Sequence, residues 1–216
     1  MLLNGYFFFE SVALVTVIFQ FKKLKNSIYK YFLPFLIFIV FYEYGNIRDW
    51  FYINNSNLYI TNISEITCFL FYCIVLQTLI TNKTYKKTIR VLIPLTLLCS
   101  LLNMAFLQGF WKLDSITILL QFAVIIFIVC LYFYELMNSI ESNISIIKLP
   151  GFWLNTGLLF FCLAEFLFFS SFAYMAYKKN YHYFLLFEVI ANIANAILYS
   201  CLSVSFLCFN RMNKSS

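Results

Sequence analysis

The residues most able to do chemistry in this sequence are glutamates that interrupt long apolar segments. The chain has nine acidic residues, and five of them lie inside such segments: Glu10, Glu43, Glu65, Glu165 and Glu188. Ionisable groups within a membrane span are costly and usually face the bundle interior or a wet cavity. The first interpretation is therefore an outward-facing polar pocket that binds a cation, a proton or an amine-bearing ligand.

A second interpretation assigns these carboxylates no ligand. In it, Glu10, Glu43 and Glu188 are shallow enough to reach headgroup water. The two deepest, Glu65 and Glu165, are then protonated and join neighbouring helices by hydrogen bonds. Because of their depth, Glu65 and Glu165 are the best candidates under either interpretation.

The last apolar segment carries polar side chains at helical spacing. Its polar residues are separated by intervals of four, three and four, which places them on one helix face: Glu188, Asn192, Asn195 and Tyr199. The residues predicted to bind a ligand are therefore Glu65, Glu165, Glu188, Asn192 and Asn195. A polar face also marks interhelical contact when no ligand binds, so this alternative stays open. Other segments add the polar candidates Asn62, Asn103, Gln121 and Asn155.

The motifs of common enzyme classes are absent from the sequence. The one histidine, His182, lies in a polar connection, which excludes an HExxH metal site. Only five glycines are present, and neither G-x-S-x-G nor a phosphate-binding glycine loop occurs. The seven cysteines lie in apolar runs without the paired spacing of a zinc site. We therefore expect a protein without catalytic activity, metal or cofactor.

The composition predicts an all-α polytopic membrane protein. Of the 216 residues, 63% are hydrophobic and 11% are charged, whereas a soluble domain carries about a quarter charged residues. Mean hydropathy is +0.85, which also excludes a disordered chain. We expect one transmembrane domain over 1–216.

Seven apolar segments are long enough to cross a bilayer, which takes about 20 helical residues. We predict a bundle of seven spans at about 5–21, 28–45, 58–80, 89–107, 115–135, 151–174 and 184–208. Pro34 and Pro150 lie at the starts of spans, where a missing N–H costs little. Asp114 and Ser115 are suited to cap the fifth span.

The distribution of lysine and arginine predicts the orientation. Eleven of the fifteen lie on one side of the membrane and four on the other, so the positive-inside rule places the amino terminus outside and the carboxyl terminus in the cytoplasm. The net charge of +6 then needs no nucleic-acid partner. All five span carboxylates fall in the outer half. We expect a bacterial inner (plasma) membrane protein.

Several segments together resemble a family of small, uncharacterised multi-pass membrane proteins common in Bacteroidetes-type bacteria. These segments are Leu58-Tyr59 with Glu65, Asn103 with Phe106-Leu107-Gln108, Asp114-Ser115, Tyr132-Phe133-Tyr134, Phe152 to Gly157, and Asn192 to Asn195. Members of the family are often encoded near sensory histidine kinases. The resemblance therefore implies a connection with signalling and assigns no residue a role.

These observations favour a sensing or partner module whose outer pocket reads a ligand or the membrane state. Its basic loops would pass this state to a cytoplasmic signalling partner. One alternative is a small-solute or ion transporter that uses the same carboxylates. Another is an accessory subunit or pore-forming oligomer in a stress or phage-defence system.

Overall fold

The computed structural model describes residues 4–53, 56–139, 145–178 and 181–212. Over these residues the chain forms a bundle of seven long helices. Side chains are described for these residues apart from 4–6, 139, 172–178, 181–188 and 210–212. The helices are α1 Asn4–Leu24, α2 Phe32–Ile47, α3 Leu58–Leu79, α4 Lys83–Leu102, α5 Ser115–Ser139, α6 Pro150–Lys178 and α7 Tyr181–Met212. A 3-10 turn (Ile28–Tyr31) precedes α2, a π-helical turn (Asn103–Leu107) ends α4, and a second 3-10 turn (Ile146–Lys148) precedes α6.

Six of these helical segments are long and apolar enough to cross a membrane. They are Ile28–Ile47, Leu58–Leu79, Lys83–Leu107, Ser115–Asn138, Pro150–Ser171 and Val189–Phe209. The prediction of an all-α, polytopic bundle is therefore confirmed, and the chain is a multi-pass integral membrane protein. That α1 is also a span stays a prediction. Its 21 residues reach about 31 Å at 1.5 Å per residue, and it packs against α2 and α7.

The packing order places six helices around one centre. α1 lies between α2 and α7, α7 packs along α6, and α6 packs on α5. α5 in turn contacts α3 and α4. α2 and α3 follow one another in sequence but make few backbone contacts. The centre of the bundle and the cleft between α2 and α3 are consequently two separate concavities.

An aromatic cluster fills the core at the end of the bundle that carries the 3-10 turn before α2. We define it by Tyr29, Phe32, Phe35, Phe71 and Phe206. Phe32 is fully buried, with ring centroids 4.9 Å from Phe71 and 5.4 Å from Phe206. Phe35 stacks on Phe71 at 3.8 Å. The cluster joins α2, α3 and α7 into a close-packed floor below the centre of the bundle.

The turn between α3 and α4 is fixed by a carboxylate from α5. Glu135 accepts hydrogen bonds from the backbone N–H groups of Thr81 (2.7 Å) and Asn82 (3.3 Å), and from the Thr81 hydroxyl. The Asn82 side chain caps α4 by accepting from Thr84 N–H at 2.8 Å. These contacts start α4 at Lys83, inside the polar segment Thr81–Lys87 that was predicted to be a connection. That segment is thus mostly helical.

Candidate functional site

The centre of the bundle contains a cavity of about 150 Å³ that is lined by four carboxylates. They come from four helices: Glu10 from α1, Glu43 from α2, Glu65 from α3 and Glu165 from α6. The cavity lies toward the end of the bundle where α2 ends and α3 begins. On the predicted topology, this end of the bundle lies in the outer half of the membrane. We call it the acidic cavity; its other lining residues are Ile39, Tyr42, Ser64, Cys68, Phe69, Tyr72, Gln121, Phe122, Ile125, Phe161, Cys162, Phe169, Asn195, Leu198 and Tyr199.

Glu10 is the most deeply placed of the four. Its side chain is 1% exposed, and the side chain of Tyr199 on α7 hydrogen-bonds to it. Its other carboxyl oxygen, Oε2, has no hydrogen-bond partner among the described residues. The interpretation of Glu10 as a shallow residue in contact with headgroup water is therefore wrong. Packing against α7 buries this side chain although it lies near the start of α1.

The carboxylates are close enough to act on one another. Glu43 exerts an electrostatic effect on both Glu10 and Glu65, and Glu65 exerts one on Glu165. Glu43, Glu65 and Glu165 are each half-buried. The described residues that line the cavity include no lysine, arginine or histidine. Carboxylates around one buried cavity repel when they are ionised, so a proton or a bound cation would stabilise Glu10, Glu65 and Glu165 there.

These acidic groups surround the cavity and do not converge on one point. Among the residues searched, which are the described ones, no three His, Cys, Asp or Glu side chains are grouped to hold one metal ion. Each carboxylate instead occupies a different wall. This arrangement suits a positive charge that is spread over an organic group better than a compact ion with a tight ligand shell.

Aromatic side chains form seven of the fifteen other lining residues. The rings of Phe122 and Phe169 are stacked at 6.0 Å, and Phe161 meets Phe122 edge-on at 6.1 Å. Tyr42 donates a hydrogen bond to the Thr61 hydroxyl at 3.2 Å, which holds its ring beside Glu43. Aromatic faces attract cations, most of all where water is excluded. Carboxylates and rings together provide the chemistry of an ammonium site.

Three of the five residues predicted to bind a ligand lie at the acidic cavity. Glu65, Glu165 and Asn195 line it. Asn192 is half-buried on α7 and is not one of the lining residues. The helical position of Glu188 is described, but its side chain lies outside the described residues. The stripe on α7 therefore meets the cavity through its Asn195 and Tyr199 positions.

Other lining residues could have been found from helical spacing alone. Cys68, Phe69 and Tyr72 are three, four and seven residues after Glu65, so they share its helix face. Phe161 and Cys162 are four and three residues before Glu165 and Phe169 is four residues after it, so these residues share the helix face of Glu165. Glu10 and Glu43 were recognised as span carboxylates but were ranked below Glu65. Their convergence on one cavity depends on which helices pack together, which spacing does not reveal.

The polar residues Asn62 and Asn103 belong to a different structure, the connection between α4 and α5. Asn62 Nδ2 donates to the carbonyls of Phe110 (3.2 Å) and Lys112 (2.8 Å), and its Oδ1 accepts from Asp114 N–H at 3.0 Å. Asn103 donates to the Asp114 carboxylate, which also accepts from Thr117. These buried contacts fasten the connection to α3. Asn62, one of the polar candidates from the sequence, therefore serves this connection.

Two further candidates have separate partners. Gln121 lines the acidic cavity and donates to the Ser100 hydroxyl of α4 at 3.1 Å. Asn155 is fully buried and donates to the Gly151 carbonyl of its own helix at 2.8 Å. All seven cysteines are free thiols. Two of them, Cys68 and Cys162, lie in the cavity wall.

Comparison with protein-family models, with curated proteins and with solved structures finds no match to this chain. The chemistry of the acidic cavity is therefore the basis for a functional proposal.

Proposed function

We propose that the protein is a non-enzymatic membrane module that binds a small organic cation in the acidic cavity and signals its occupancy to a cytoplasmic partner. The observation that carries the proposal is the convergence of Glu10, Glu43, Glu65 and Glu165 on one cavity. Four carboxylates from four helices make a site that attracts a cation. Binding would then draw the four helices together.

The size and walls of the cavity support an ammonium ligand. Its volume of about 150 Å³ is below the roughly 300–1,000 Å³ of drug-sized sites. A primary amine or a small quaternary ammonium is of the matching class, since its charge is met by both carboxylates and rings. An anionic or neutral solute would leave the carboxylates uncompensated.

The closed floor supports a binding module over a transporter. Tyr72 lines the cavity and packs against Phe35 at 5.3 Å, which begins the aromatic cluster. Below Phe35, the rings of Phe32 and Tyr29 continue to the basic end of α2. A ligand in the cavity would contact this packed core without a passage beyond it. The cluster also links the cavity to the basic loops that a cytoplasmic partner would recognise.

A titration with tetramethylammonium tests the proposal. We expect this probe to bind the purified protein, as measured by calorimetry. Neopentyl alcohol, a neutral compound of similar size, should give no heat of binding. Glu65→Gln and Glu165→Gln should each lower the affinity at least about tenfold, because removing one partner of a buried charge pair costs roughly 2–5 kcal/mol. Both variants should still insert and remain folded, since glutamine keeps the size and the hydrogen bonding of glutamate.

Asp49→Asn supplies the matched control. Asp49 is an exposed carboxylate that does not line the cavity, and its φ of 56° is a conformation that asparagine tolerates. This variant should bind like the wild type. If both Gln variants bind with wild-type affinity, the acidic cavity is not a cation site. Glu65 and Glu165 would then only make polar contacts between helices.

A flux assay separates binding from transport. Vesicles that contain the protein alone should neither accumulate nor leak labelled tetramethylammonium, because the module acts through a partner. If the wild-type vesicles show flux and Glu65→Gln abolishes it, the protein is a transporter that uses the same carboxylates.

A further inference from the structure

A second concavity lies on the outside of the bundle, between α2 and α3. It is an apolar groove of about 530 Å³ lined by Ile28, Tyr31, Pro34, Phe35, Phe38, Thr67, Phe71, Ile74 and Val75. None of these residues lines the acidic cavity. α2 and α3 make few backbone contacts with one another, and the stacked rings of Phe35 and Phe71 form the base of the groove between them. Tyr31 and Ile74 are each about half exposed at its rim.

One end of the groove is strongly basic. Ile28 and Tyr31, which line this end, directly follow a segment that contains Lys22, Lys23 and Lys25. The Lys30 ammonium lies 5.0 Å from the centroid of the Tyr31 ring, so its charge stands at the mouth of the groove. The stretch 22–31 contains four lysines and no acidic residue. Further along, at Phe35 and Phe38, the lining is apolar.

The groove therefore combines a cationic mouth with an apolar trough. Phospholipids with an acidic headgroup have the complementary pattern, a phosphate without a balancing ammonium followed by an acyl chain. Clusters of lysine next to a membrane span attract such lipids. A zwitterionic lipid would fill the trough equally well but would gain less at the lysines.

We propose that the α2–α3 groove is a binding site for an anionic phospholipid, with one acyl chain against Phe35 and Phe71 and the headgroup phosphate at Lys30. The charge of the mouth selects the headgroup, and the trough holds the chain. On the predicted topology the site faces the cytoplasmic leaflet. It is independent of the acidic cavity and of any cation bound there.

Photo-crosslinking in nanodiscs tests this site. The full chain is placed in phosphatidylcholine discs that contain a trace of phosphatidylglycerol with a diazirine in the acyl chain, and adducts are mapped by mass spectrometry. Adducts should concentrate on the groove residues. Lys30→Gln should lower them about fivefold, as expected for the loss of one lysine at an anionic surface, while adducts from a photoactivatable phosphatidylcholine should stay unchanged.

Two further variants keep the test decisive. Lys87→Gln removes an exposed lysine that does not line the groove and should leave the labelling as in the wild type. Ile74→Trp fills the trough from its exposed rim and should remove groove adducts from both lipids. If both lipids label the groove equally and Lys30→Gln does not change that labelling, the groove holds only ordinary boundary lipid and the proposal is wrong. Absence of groove adducts from both lipids in the wild type would overturn the proposal and leave the groove to another occupant, such as a second copy of the chain.

Discussion

Glu10 and Tyr199 meet inside the bundle, and their hydrogen bond joins the first helix to the last. Both side chains are buried, and one Glu10 oxygen has no partner among the described residues. The substitution Tyr199→Phe removes the hydroxyl that interacts with the Glu10 carboxyl group. We expect the free energy of unfolding in mixed micelles to fall by about 1 kcal/mol, within the range of buried hydrogen bonds in membrane proteins.

The control for this prediction is Tyr134→Phe. Tyr134 is 59% exposed, so loss of its hydroxyl should not change the free energy of unfolding. Equal stability of Tyr199→Phe and the wild type would show that the hydrogen bond to Glu10 does not hold α1 on α7.

Glu65 and Glu165 give the acidic cavity a dependence on pH. A proton and an organic cation compete for the same carboxyl groups, so binding of tetramethylammonium should release protons. The affinity should therefore decrease as the buffer changes from neutral to acidic. Calorimetry in two buffers with different ionisation enthalpies measures the protons released, and Glu165→Gln should lower that number. An affinity that does not change with pH would speak against ionised carboxylates as the ligands.

At the scale of elements, Gly157 sets the distance between α6 and α7. A Cβ at this position would lie 2.8 Å from the Cys201 Cβ and 3.3 Å from the Leu198 backbone. Alanine normally stabilises a helix relative to glycine by about 0.5–1 kcal/mol. Here Gly157→Ala should instead destabilise by roughly 1–3 kcal/mol, because the two backbones must separate. Unfolding in mixed micelles measures the sign, and a stabilised variant would contradict the close contact.

Glu135 is the support of a different element, the start of α4. It accepts two backbone N–H groups just before Lys83, where the helix dipole also favours a negative charge. In Glu135→Ala we expect faster hydrogen exchange over 81–87 and a loss of about 1–2 kcal/mol. Asn138→Ala is the control, since the exposed Asn138 side chain bonds only within its own helix, to the Tyr134 carbonyl. Unchanged exchange in Glu135→Ala would assign the start of α4 to Asn82 alone.

These elements show what could be predicted from local sequence. The third span was expected at 58–80 and the helix is Leu58–Leu79, because polar residues bound a continuous apolar run. The fourth was expected to begin at 89, yet α4 begins at Lys83. Its first turn is polar, and its anchor Glu135 lies more than fifty residues further along the chain. Hydropathy cannot detect an anchor that only tertiary packing supplies.

At the scale of the whole molecule, the acidic cavity was predictable in kind but not in composition. Carboxylates in apolar segments indicated a polar interior, and Glu65 and Glu165 do line it. Burial could be estimated from the sequence only through the position of a residue along its span. That position suggested a shallow, water-accessible Glu10, whereas its side chain is buried. The burial of Glu10 follows from contact between α1 and α7, which no periodicity encodes. Similarly, Asn62 turned to the α4–α5 connection because that connection folds over α3.

The predicted topology places the cavity toward the outside of the cell. A reporter inserted between Asn54 and Asn57 should therefore be external, and one fused after Ser216 should be cytoplasmic. Both reporters on one side would require an even number of spans between them in place of the five helices α3 to α7. Whether α1 is a span is a separate question, because α1 precedes both reporters and is not among the six segments that meet the criteria for a span.

Orientation and charge of the cavity can be tested together through Cys68, which lines it and is half-buried. Two membrane-impermeant methanethiosulfonates are added to intact cells, one carrying trimethylammonium and the other sulfonate, and modification of each cysteine is measured by peptide mass spectrometry. A cavity with four carboxylates concentrates the cation and excludes the anion. We expect the cationic reagent to modify Cys68 faster than the anionic one, and tetramethylammonium to slow it. Cys130, which is exposed on the surface of α5 toward its predicted cytoplasmic end, is an internal control that neither reagent should modify in intact cells. A faster reaction with the sulfonate reagent would contradict an acidic cavity, and modification only in inverted vesicles would reverse the orientation.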